Sequence, residues 1–91
     1  MTTIVPSHKV NGEDLAQGLA EAREKLNLTD GEMLIDFSAV RRIDPSGLRA
    51  LETFAGTADE KAVKVALQGV NVDVYKVLKL ARLTTRFSIV N

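Results

Sequence analysis

Residues 33–51 read MLIDFSAVRRIDPSGLRAL, and this stretch decides the architecture. Its opening, MLIDF, is an apolar run of strand length that follows the turn signal Thr29, Asp30, Gly31, and it predicts a buried strand. Its close, DPSGLRAL, predicts a helix start. Proline is favoured at the first helical position, where its missing N–H would have no partner anyway, so Asp44 becomes the N-cap and Pro45 opens the helix. Leu48, Leu51, Ala55, Ala58 and Ala62 then fall on one stripe, small enough to lie close on a sheet.

Working outward, residues 2–10 are β-branched and apolar with Pro6 in the middle, which predicts a short strand, an interruption and a second short strand at a sheet edge. Asn11 is placed to cap a helix over 12–27, whose Leu15, Leu19, Ala22 and Leu26 recur at helical spacing, with Glu13 and Asp14 favourable to its dipole. VKVAL alternates and predicts another strand. In the GVN that follows, Asn71 caps a third helix over 71–82, and RFSIV closes the chain as a short strand. Strand and helix alternate throughout, which is the pattern of an α/β layer with largely parallel pairing and right-handed crossovers.

Ninety-one residues suffice for one small core, and the chain reads as a single domain over 1–91 with no internal repeat or linker. Its 45% hydrophobic and 26% charged residues are globular proportions. Twelve basic residues balance twelve acidic ones, so no net field draws the chain to nucleic acid or to an anionic membrane. No apolar run is long enough to span a bilayer, and no signal-peptide pattern opens the sequence. The absence of cysteine removes disulfides and thiolate chemistry and fits a cytoplasmic setting. With a single histidine, His8, no metal site of zinc or iron type is expected, and no cofactor motif is present.

Ser46 is the residue to which chemistry points. Placed in the first turn of a helix, its hydroxyl stays reachable, and Gly47 beside it leaves room for another molecule to approach. The same residues also serve as an ordinary helix start, for conformational reasons alone. Arg49 lies one turn on, on the same helix face, with Arg41 and Arg42 in the loop before it. These arginines read either as phosphate partners or as solvated surface. A nucleophilic role for Ser46 would need a base, and His8 sits in an edge strand at the far end of the sequence. IDPSG is not the strand-to-helix elbow of a serine hydrolase, and there is no phosphate-binding loop. No catalytic residue is therefore assigned.

The third helix is apolar over more than one stripe. Val74, Val77, Leu78 and Ala81 form its core face, while Val72, Leu80 and Leu83 point elsewhere, toward a partner or under flanking strands. Lys76, Lys79, Arg82 and Arg86 complement the dipole late in the helix and read as a solvated face. Four aromatic residues, scattered along the chain, give no platform for stacking bases.

The motifs LIDFSAV, IDPSGLRAL, VKVAL, QGVN and VLKLARL, in this order over residues 33–90, resemble the STAS domain family, which includes bacterial anti-sigma factor antagonists and the cytoplasmic modules of sulfate transporters. The resemblance implies an α/β fold: a small, four-to-five-stranded mixed sheet packed with helices mainly on one side. It also implies a protein-interaction module of transcription regulation, in which the family's phosphorylated serine falls on Ser46 and the aspartate before it on Asp44. Pro45 stands where the family has the first serine of a pair. The partner surface implied is Asp44, Pro45, Ser46, Gly47, Arg49 and Ala50, and the partner an anti-sigma factor or serine kinase. LQGVN followed by VYKVLKL is similar as well to the STAS subunit of Mla-type phospholipid transporters, which implies a transporter ATPase as the alternative partner.

Overall fold

A computed structural model describes residues 7–10, 14–29 and 31–90 of the chain. Strands β1 (Ser7–Lys9), β2 (Glu32–Asp36), β3 (Lys64–Gln68) and β4 (Ser88–Val90) alternate with helices α1 (Leu15–Leu26), α2 (Pro45–Glu60) and α3 (Val72–Leu80), and a short 3₁₀ turn, Leu83–Thr85, precedes β4. The sheet order is β1-β2-β3-β4, and every pairing is parallel. The expectation of a mixed sheet is corrected here. Each pair of neighbouring strands is joined through a helix that returns the chain to its starting end, so adjacent strands run the same way. Four strands form among the described residues; the strand anticipated before Pro6 lies outside them.

Burial alternates along the strands. Met33 and Ile35 of β2 and Val65 and Leu67 of β3 are buried, while Glu32, Leu34 and Asp36, with Lys64, Ala66 and Gln68 in register beside them, are not. The sheet is therefore covered on one face, by helices that send Leu19, Ala22, Leu26, Leu51, Phe54, Val74 and Leu78 into a common core. Phe54 of α2 stacks on Phe87 at a centroid distance of 6.3 Å, which joins the second helix to the segment entering β4.

The helix boundaries follow local chemistry, with instructive departures. Asp14, not Asn11, is the N-cap of α1, where its carboxylate accepts the Gln17 N–H at 3.1 Å. Asn11 itself lies outside the described residues. Ala62, assigned to the stripe of α2, falls past its end in the left-handed region at φ 56° and is exposed. Phe54, absent from that stripe, is fully buried. Leu83 is buried too, because the 3₁₀ turn swings it back under the helical layer instead of leaving it on an outer face of α3.

Phe54 is fully buried and stacks on Phe87 just before β4, so Phe54→Ala is expected to cost about 3–5 kcal/mol, a large share of what a chain of this size has. Chemical denaturation measures it, and a loss below about 1 kcal/mol would contradict this packing.

Candidate partner-binding site

The site begins where β2 ends. Asp36 Oδ1 accepts the Ser38 N–H at 2.8 Å, which bends the chain sharply out of the strand. These Ser38 hydrogen bonds, from its backbone N–H first and its hydroxyl second, together with the nearby Lys9 charge, outweigh partial burial and hold the Asp36 carboxyl below its ordinary 3.8. Gly69, at the end of β3, has φ +74°, and a Cβ there would stand 3.1 Å from the Ser38 backbone. The turn after β2 thus lies directly against Gly69.

From this turn the loop runs through Val40, which is buried, and the exposed Arg41 and Arg42 to Asp44. Asn71 holds the loop in place. Its Nδ2 donates to the carbonyls of Val40 at 3.2 Å and Arg41 at 3.1 Å, while its Oδ1 accepts the Val74 N–H at 2.8 Å as the cap of α3. The sequence signalled the cap but not the clamp, since a bond across thirty residues leaves no local pattern.

Asp44 caps α2. Its backbone is extended, and Oδ1 accepts the Gly47 N–H at 2.7 Å, with Pro45 at the first helical position as its chemistry requires. The same oxygen accepts the Ser46 hydroxyl at 3.1 Å. Asp44, Pro45, Ser46 and Arg49 are exposed and adjacent, so the hydroxyl stands at the surface at the mouth of the helix. Gly47 is different. It is buried, and a Cβ there would meet Asp44 Oδ1 at 3.0 Å and Leu15 Cδ2 at 3.1 Å. Its missing side chain admits α1, not an incoming molecule. Ala50 is half-buried and faces the shallow groove between α1 and α2 that Ala16, Ala20 and Thr53 also line.

His8 does not converge on Ser46. Its Nδ1 is 2.9 Å from Nζ of Lys25 in the last turn of α1, and its Nε2 is buried without a hydrogen-bond partner. Among the described residues no three of His, Asp and Glu come together to hold a metal ion, and no helix is long and apolar enough to cross a membrane.

With this geometry in view, comparison with known proteins is decisive for the family. The family model described as "Mlab, STAS domain" matches residues 11–91. The chain belongs to the STAS domain family. Similar solved STAS-type folds include the crystal structure of a provisionally named anti-sigma factor antagonist from Thermotoga maritima, with a TM-score of 0.73 at 22% identity, covering 92% of this chain and 74% of that one. The NMR structure of that Thermotoga protein gives 0.75 at 21% identity, over 98% and 78%. A sulfate transporter family protein from Wolinella succinogenes gives 0.76 at 21%, over 91% and 74%. No curated protein sequence matches the chain. At these identities the solved structures establish a shared STAS fold.

Two outcomes test the geometry of this STAS site. Asp44→Ala is expected to cost about 1 kcal/mol through loss of the cap, whereas Gly47→Val, which forces a branched side chain against Leu15, is expected to cost roughly 2–3 kcal/mol. Denaturation curves showing the opposite order would place the strain elsewhere. Because the folded-state pKa of Asp36 is lowered, the stability it contributes is present above its ordinary 3.8 and is lost as pH falls through the lower folded value. Asp36→Asn should flatten the stability profile in that acidic window, and a profile identical to the parent would refute the assignment.

Proposed function

We propose that this STAS domain is an anti-sigma factor antagonist-like interaction module, switched by phosphorylation of Ser46 in a bacterial cytoplasm. The observation that carries the reading is the exposed Ser46 hydroxyl in the first turn of α2, 3.1 Å from the Asp44 carboxylate. The domain acts as the substrate of a kinase and a phosphatase and catalyses nothing itself. Its partner, an anti-sigma factor or serine kinase, contacts Asp44, Pro45, Ser46 and Arg49, with Gly47 and Ala50 shaping the surface from beneath.

The switch follows from charge. A phosphoserine carries about −1.5 to −2 charges at neutral pH, and a helix N-terminus tolerates them through its dipole and free N–H groups. The fold therefore survives modification. Asp44 is a like charge, and a doubly charged group ~6 Å from it is repelled by about 1.4 kcal/mol at a dielectric constant of 80 and about 5.5 at 20. Solvent screens the first case; a docked partner creates the second. The difference, about 4 kcal/mol, weakens the complex roughly a thousandfold and leaves the free domain nearly unaffected. Arg49, on the same helix face as Ser46, is placed to pair with the phosphate in the free state.

A second reading is favoured by the family description, which names Mlab. There the same surface is a permanent contact with the ATPase of a phospholipid transporter and Ser46 stays unmodified. A neighbouring serine kinase or phosphatase gene supports the first reading, and a transporter operon the second.

Incubation with ATP and the host's kinase fraction, followed by site mapping, should place phosphate on Ser46. Against the anti-sigma factor, binding should fall about a thousandfold on phosphorylation and roughly thirtyfold in Ser46→Asp, whose single charge gives about half the repulsion. Equal affinity of the modified and unmodified forms would end the switch hypothesis.

A further inference from the structure

We propose that the N-terminal half of α3 and β4 form a second docking surface, which takes a segment of a protein partner carrying a large apolar side chain flanked by Asp or Glu. Val70, Asn71, Val72, Tyr75 and Ile89 line an open cleft of about 440 Å³ between α3 and the last strand. Val72 and Tyr75 on its rim are 69% and 40% exposed, and Leu80 further along the helix is 86% exposed. Isolated exposed apolar residues are ordinary, but four apolar side chains around one concavity are a place for a side chain to enter.

Charge selects the occupant. Over residues 72–82 the charged groups are Lys76, Lys79 and Arg82 against one carboxylate, Asp73, in a chain whose total is zero. Lys76 is one turn from Val72 and Lys79 one turn from Tyr75, so both ammonium groups stand on the helix face that borders the cleft, and all three of these basic residues are exposed. On the other side, Asn71 lines the cleft and holds the Arg41 carbonyl, which brings the exposed Arg41 and Arg42 segment beside it. An apolar anchor between carboxylates matches a pocket rimmed by cations. A flat anionic bilayer matches it less well, because a plane cannot fill a concavity and the apolar residues are split between the cleft and the isolated Leu80.

The surface does not depend on modification of Ser46, and its test uses the unphosphorylated full chain in parent and Ser46→Ala forms. The probes are synthetic peptides with a central Phe or Leu between paired Glu residues, the same peptides with Lys for Glu, and phosphatidylglycerol-containing vesicles. Amide shifts of the ¹⁵N-labelled chain are expected to move at residues 70–76 and 89 with the acidic peptides. The basic peptides should bind at least tenfold more weakly, and Tyr75→Ala and Lys76→Glu should each lower acidic-peptide affinity at least fivefold with an unchanged thermal midpoint. Loss of affinity on raising salt should follow. Equal binding of acidic and basic peptides, shifts confined to other regions, no shifts at millimolar peptide, or binding only to vesicles would each overturn the proposal.

Discussion

One side-chain amide holds the functional end of this molecule together. Asn71 satisfies a donor at the start of α3 and two acceptors in the loop after β2, so the element that begins the last crossover also fixes the path by which the chain reaches α2. Backbone groups in such a loop need partners once they are shielded from water. Without the carboxamide, the Val40 and Arg41 carbonyls would have to find water, and the loop would lose its register against the helix. The position of Asp44, and through it the direction of the Ser46 hydroxyl, is therefore set jointly by a local cap and a long-range clamp.

The legible parts of the fold were those whose causes are local. Pro45 at the first turn and Asp44 before it fix the start of α2 from four residues of sequence, and Asn71 marks the start of α3 in the same way. The order of strands and helices followed from periodicity, and the alternation of VKVAL matches the alternating burial of β3, whereas MLIDF, read as a buried run, is buried on alternate residues of β2. What could not be read was tertiary. On α2 the stripe of Leu48, Leu51, Ala55, Ala58 and Ala62 gives most of the core-facing side but omits Phe54, whose burial depends on Phe87 thirty-three positions later. Parallel pairing at every interface, the burial of Leu83 and the packing of Gly47 onto Leu15 likewise depend on how elements meet.

Gly47 shows how one residue admits two explanations that only coordinates separate. Next to a reachable serine, a glycine looks like a clearance for an approaching protein. In the fold it is the contact point of two helices, and the clearance is already taken by Leu15. The exposed surface at the mouth of α2 is thus narrower than the run of residues around Ser46, confined to the cap, the proline, the hydroxyl and Arg49. Leu15 of α1 backs this small surface from beneath.

The order in which the strands lie has a bearing on how the chain assembles. Ser7 meets Leu34, Leu34 meets Ala66 and Ala66 meets Ser88, each across a single helical return. Among the described residues no strand waits for a partner from the opposite end of the chain, so loop-closure entropy is met in small instalments. Such a sheet can grow one ribbon at a time, each new strand laid beside the one formed before it.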